Sequence, residues 1–139
     1  MLINIKEITA RFSEIDSMGI VWHGHYIKYF EDGREAFGKE YKLHYLEVYK
    51  QGFFIPIVKI DCNYKKPILY TEPLVIETKY IDTPAAKIIF EYKIYNKDTS
   101  EIYATGKSEQ VFLTKERELH LTIPDFFQEW KRKNGILND

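Results

Sequence analysis

The chain has 139 residues, 45% of them hydrophobic, with 11 Tyr and 9 Phe; that is enough for one core and, without any linker-like stretch, fits a single domain over 1–139. Its 20 basic and 21 acidic residues are interspersed and leave a net charge of −1, which lacks the basic footprint of a nucleic-acid binder or of a protein held on an anionic membrane. Cys62 has no cysteine to pair with, residues 1–7 lack a cationic flank before an apolar run, and no uncharged apolar stretch could span a bilayer; the expectation is a cytoplasmic protein without membrane insertion.

Residues 5–12 read as a first strand, with Ile8, Ala10 and Phe12 on one side. Residues 13–19 are polar, end in Gly19 and read as a loop. The period then changes. From 24 to 39, Tyr26, Phe30, Gly33 and Phe37 recur at helical spacing, with Lys28, Glu31, Asp32 and Glu35 opposite. Gly33 costs a helix about 1 kcal/mol relative to Ala, so its place on an aromatic face predicts the close approach of another backbone. A short helix is expected near 44–51, closed by Gly52.

The rest is β-rich. Strands are expected over 53–64, 74–81, 87–95 and 102–113, with a hairpin connection at 96–100. In the third of these Ile88, Phe90, Tyr92 and Ile94 share a face; in the last Ala104, Gly106 and Ser108 form a small-residue face on which a helix could lie close. Pro124 opens a terminal helix over 125–133. Strand, long helix and four strands in succession imply an α+β domain whose helix and antiparallel sheet bury their faces against each other.

The segment Glu14-Ile15-Asp16-Ser17-Met18-Gly19-Ile20-Val21-Trp22-His23-Gly24-His25-Tyr26, continued by Phe30, Glu31 and Arg34, resembles the signature of hotdog thioesterases related to 4-hydroxybenzoyl-CoA thioesterase and the bacterial YbgC group. A looser likeness is Tyr64-Lys65-Lys66-Pro67 followed by Thr71-Glu72-Pro73-Leu74. Phe12 stands where some members carry Tyr, and Glu72-Pro73 where Gly-Asp is commoner. The resemblance implies a hotdog fold, a five-stranded antiparallel sheet wrapped around the central helix. It implies an acyl-CoA or acyl-carrier-protein thioesterase, with Asp16 as nucleophile or general base and the His23 backbone N–H as oxyanion donor. A homodimer or homotetramer with the site at the subunit interface is implied as well, and no cofactor.

The residues suit that chemistry. A thiolate leaves a thioester without strong acid assistance, so the reaction needs an attacking group and donors for the carbonyl oxygen. Carboxylates are ionised at neutral pH, and the first N–H groups of a helix are unpaired at its positive end. A carbonyl oxygen could therefore sit on the N–H groups of His23 and Gly24, Gly24 allowing a ligand close, while the His23 side chain holds the carboxylate or a water. Gly19, Tyr26, Lys65, Lys66 and Lys87 are the candidate substrate contacts, the lysines for phosphates. A metal pair at His23 and His25 lacks a third ligand, neither His44 nor His120 being suitably spaced; His25 is expected to be an exposed helix-start residue and Cys62 a packed small hydrophobe. Two alternatives stand beside hydrolysis: a hotdog hydratase or dehydratase using Asp16 and His23, and a non-catalytic acyl-CoA-binding module.

Overall fold

The computed structural model describes residues 2–137. In chain order these form β1 (Ile3–Thr9), a 3-10 turn (Phe12–Glu14), α1 (His25–Tyr41), α2 (Tyr45–Lys50), β2 (Phe53–Phe54), β3 (Ile57–Tyr64), β4 (Pro73–Ile81), β5 (Lys87–Asn96), β6 (Ile102–Val111), β7 (Leu113–Thr114) and α3 (Asp125–Lys133). β1, β4, β5, β6 and β3 make, in that spatial order, a five-stranded sheet whose neighbours are all antiparallel. β2 and β7 form a separate two-stranded ribbon.

α1 buries the face that its spacing predicted: Tyr26, Tyr29, Phe30, Gly33, Phe37 and Gly38, while Lys28, Glu31, Asp32 and Glu35 stay exposed. Phe30 and Phe37 are wholly enclosed, each stabilising the fold by about 1.5–3 kcal/mol relative to exposure. Phe30 stacks on Tyr92 of β5, centroids 4.7 Å apart. It also lies over Gly106 of β6, where a Cβ would fall 2.7 Å from the Phe30 Cζ and 2.6 Å from the Asp61 carbonyl oxygen. The small-residue face of β6 thus does admit the helix. Gly33 is also a point of close approach, but what it meets are the β4 side chains of Thr78 and Ile76, not a backbone.

Several boundaries differ from the sequence expectation. β1 stops at Thr9 because its partner β4 begins opposite, at Pro73. Phe12, expected on the buried side of that strand, is instead 77% exposed and meets Tyr70 edge-on at 5.8 Å. The expected strand 53–64 breaks at Pro56, which has no N–H for a ladder; residues 53–54 pair with β7 and 57–64 continue as the sheet's edge. α1 runs two residues past Lys39 and ends where Lys42 turns left-handed, φ +59°. His44 caps α2, its ring accepting from the Leu46 N–H at 3.4 Å.

α3 closes the core at the far end of the helix. Trp130 stacks on Phe127 at 5.3 Å, and its indole N–H donates to the Tyr41 carbonyl at 2.8 Å. Lys131, almost fully buried, reaches Asp82 at 2.8 Å and the Thr83 carbonyl at 3.0 Å.

Candidate active site

The loop before α1 is a small hairpin. The Asp16 N–H donates to the Ile20 carbonyl at 2.8 Å and the Gly19 N–H to the Asp16 carbonyl at 3.0 Å. Gly19 sits at φ +78°, where a side chain would be strained. An isolated bridge between Ile15 and Val21 closes the hairpin. A second loop, the β3–β4 connection, supports it: the Val21 N–H donates to the Ile68 carbonyl at 2.9 Å and Ile20 bridges Leu69. Asp16 therefore stands on backbone held from two sides. Its Oδ1 accepts from the Met18 N–H at 2.8 Å; among the described residues its Oδ2 has no hydrogen-bond partner.

The start of α1 lies next along the chain. The His25 N–H turns back to the Trp22 carbonyl at 3.0 Å, and the Tyr26 N–H makes a stretched 3.4 Å bond to the His23 carbonyl. The N–H groups of His23 and Gly24 donate to no protein acceptor among the described residues. These two unpaired donors stand at the positive end of a 17-residue helix, and of the two residues His23 lines the cleft described below.

Gly24 has a different local reason than expected. The Trp22 ring lies against its Cα, so that a Cβ there would come within 2.7 Å of three ring carbons. The glycine accommodates an indole, and close ligand approach on that face is blocked. Trp22 also packs against His23 at 4.9 Å and His25 at 5.4 Å. His25, expected to be exposed, is half-buried, with Nδ1 enclosed and unpartnered.

Asp16, His23, Tyr26, Lys65 and Lys66 line one cleft of about 280 Å3, together with Met18, Ile20, Val21, Tyr64 and Pro67. Tyr26 is buried, its ring T-shaped against Tyr64 at 4.8 Å. Burial raises its hydroxyl pKa, and a hydrogen bond from the Ile68 backbone offsets part of that. Lys66 pairs with Glu101 at 2.7 Å, whereas Lys65 has no ion-pair partner among the described residues. Gly19 shapes the loop next to the cleft without lining it. Lys87 is not brought to the cleft: it pairs with Glu109 at 3.0 Å. It lies opposite Val111 while Tyr64 lies opposite Ala104, a separation along β6 of about 23 Å at ~3.3 Å per residue.

In sequence Tyr64 belongs only to a loose likeness; in the structure its hydroxyl donates to the His23 carbonyl at 2.9 Å. A tyrosine at the cleft-side end of an edge strand, just before two lysines, was the available signal. Cys62 is half-buried against the core as expected, and burial pushes its thiol pKa up. Among the described residues no group of three His, Cys, Asp or Glu side chains gathers as a metal site, and no helix is long and apolar enough to cross a membrane.

Residues 10–131 match the thioesterase-like superfamily. The chain belongs to that family. A Bacillus subtilis (strain 168) relative, YneP, itself named for a proposed acyl-CoA thioesterase activity, is 34% identical over 130 residues, covering 94% of either chain. A DHNA-CoA thioesterase structure from Staphylococcus aureus aligns with 98% of this chain and 93% of its own, at 27% identity and a TM-score of 0.84. A 1,4-dihydroxy-2-naphthoyl-CoA thioesterase from Synechocystis, 15% identical, shares the fold at a TM-score of 0.81 over 92% of this chain and 94% of its own. The architecture is the hotdog fold, and the family's enzymes are thioesterases.

Proposed function

We propose that this thioesterase hydrolyses acyl-CoA, or acyl-carrier-protein, thioesters to the free acid and the thiol, with Asp16 as the reacting carboxylate. One observation carries the reading: a carboxylate with a free oxygen lines one cleft with His23, whose unpaired N–H precedes that of Gly24 at the start of α1. A thioester carbonyl bound on those donors develops its negative charge against the helix start as the tetrahedral centre forms. Asp16 either attacks the carbonyl carbon, giving an anhydride that water cleaves, or takes a proton from an attacking water. Both routes use the same Oδ2, and both expel the thiolate. The exposed His23, which lines the cleft, orients that water or the carboxylate through its ring.

Lys65 and Lys66 also line the cleft, and their charges would meet the phosphates of a CoA or of a phosphopantetheine arm. Lys65, without an ion pair, is the better placed of the two. β3 is an uncovered edge strand with Val58 and Tyr64 exposed. Such an edge is stabilised by pairing with another, so the working form in the cytoplasm is a homodimer, or a tetramer built from it, with the cleft at the interface. The test is thiol release from short-chain, long-chain and aryl acyl-CoAs by the wild type and Asp16→Ala. Turnover of some members that collapses in the variant supports the reading. Absence of release from every substrate by folded wild type removes CoA hydrolysis and leaves carrier-protein thioesters or a binding module.

A further inference from the structure

We infer, resting on the proposed hydrolysis at Asp16, that Ile20 and Leu69 form an apolar ledge beside that carboxylate which carries the substrate's acyl chain and selects aliphatic chains of medium length. The geometry follows from register. Ile15 bridges Val21, Ile20 bridges Leu69, and the Val21 N–H donates to the Ile68 carbonyl at 2.9 Å. Residues opposite one another in antiparallel pairs share a face, and neighbours along each segment take opposite faces. Ile15, Val21 and Ile68 therefore form one row, and all three pack in the core, Val21 and Ile68 almost wholly enclosed. The adjoining row must face outward. It consists of Asp16, Ile20 and Leu69, the first two fastened by the Asp16 N–H on the Ile20 carbonyl at 2.8 Å. Leu69 is 51% exposed, an uncovered apolar side chain two steps across from the reacting carboxylate.

The same register gives the substrate a direction. With Ile20 opposite Leu69, Trp22 falls opposite Pro67, so His23, Lys65 and Lys66 stand at the Pro67 end of the cleft, while Asp16, Met18 and Ile20 line its other end. A thioester with its phosphates at the lysines and its carbonyl at Asp16 leaves its acyl chain to run over Ile20 and Leu69. Met18, at the hairpin tip and exposed, adds apolar surface at that end. The row is an open ledge and not a closed pocket, which suits a flexible chain that can lie along it. Two cross-strand steps of about 5 Å each separate Asp16 from Leu69. An extended chain advances about 1.2 Å per bond, so the ledge ends near the eighth carbon of the chain.

A fully buried methylene is worth about fourfold in an equilibrium constant, and one covered on a single side about twofold. With straight-chain acyl-CoAs from butanoyl to hexadecanoyl, wild-type kcat/KM should rise about twofold per methylene as far as octanoyl and then level off. The Kd values of the matching S-alkyl thioethers of CoA, which cannot be hydrolysed, should fall in step. Leu69→Ser keeps the backbone N–H that Glu72 holds and changes a surface side chain, so Tm should stay within about 2 °C. It should lower kcat/KM for octanoyl-CoA about fivefold and for butanoyl-CoA less than about twofold, and Leu69→Met should restore the octanoyl preference. A wild-type profile flat from butanoyl to octanoyl, benzoyl-CoA turned over faster than octanoyl-CoA, or a Leu69→Ser loss equal for every chain would overturn the inference. Failure of the underlying reading is distinguishable: Asp16→Asn would then turn over octanoyl-CoA like wild type, whereas the thioether Kd series reports on the ledge alone.

Discussion

Glu72→Ala removes a carboxylate that fastens the β3–β4 connection, on which the Asp16 hairpin rests. Glu72 accepts from the Leu69 N–H at 2.9 Å through one oxygen; through the other it accepts from the Tyr103 hydroxyl and, at 3.4 Å, from Asn96 Nδ2. Tyr103 is wholly enclosed, so the substitution strands its O–H, although Asn96 still donates to its oxygen at 3.0 Å. A stranded buried donor costs about 1–3 kcal/mol; Leu69 is exposed and finds water. A loss of about 2 kcal/mol lowers Tm by about 8 °C in a domain of this size. Tyr103→Phe, which takes donor and acceptor away together, should cost only about 1 kcal/mol, and the double variant less than the sum.

The same network has a pH signature. Burial pushes the Glu72 carboxyl up, but the hydrogen bonds from Tyr103, Leu69 and Asn96, with Lys66 nearby, outweigh it and hold it below 4.5. A depressed native value means stability that is fully present above the ordinary carboxylate range and lost as pH falls through the native value. The gap in Tm between wild type and Glu72→Gln should therefore be widest near neutrality and narrow as pH falls through the lowered native value of Glu72. Thermal unfolding followed by circular dichroism from pH 7 to pH 3 measures both effects. A Glu72→Ala Tm within about 1 °C of wild type, or additive losses in the double variant, would refute the reasoning.

Two further outcomes follow from the packing. Gly106→Ala places a methyl 2.6 Å from the Asp61 carbonyl oxygen and 2.7 Å from the Phe30 Cζ; because strand backbone cannot yield as a flexible side chain does, urea unfolding should show a loss of about 1–3 kcal/mol. Asp82→Asn leaves the buried Lys131 ammonium with the Thr83 carbonyl as its protein partner, a loss of roughly 2 kcal/mol once the half-exposed state of Asp82 is allowed for. Lys131→Met, which keeps the packed stem and removes the charge, should cost less than Asp82→Asn in the same titration, and the reverse order would contradict the account.

The helix and the two central strands were legible because one physical signal governed each. The apolar stripe of Tyr26, Phe30, Gly33 and Phe37 runs at 3.6 residues, and Ile88, Phe90, Tyr92 and Ile94 alternate, all of them buried. Strand order was not legible, since β3 joins the far edge beside β6 through pairings between distant residues. Phe12 was misplaced because alternation continues past the point where Pro73 ends the partner strand. At the site, Asp16, His23, Tyr26 and the two lysines could be named from a local motif and its resemblance. What Gly24 accommodates could not, because the Trp22 ring folds back on its neighbour. Nor could the hydrogen bond from Tyr64 to the His23 carbonyl, which spans 41 residues. Lys87 looked like any other basic residue in sequence, and only the sheet register separates it from the cleft.

The most direct test of Asp16 as the reacting group measures binding and turnover on one preparation of Asp16→Asn, with a substrate that the wild type hydrolyses and its non-hydrolysable thioether analogue. The substitution keeps an oxygen to accept the Met18 N–H and removes the attacking or proton-accepting charge. The account predicts a fall in kcat of about a thousandfold or more, with the Kd for the analogue within about threefold of wild type. Turnover within about tenfold of wild type, or a loss of analogue affinity matching the loss of turnover, would contradict it.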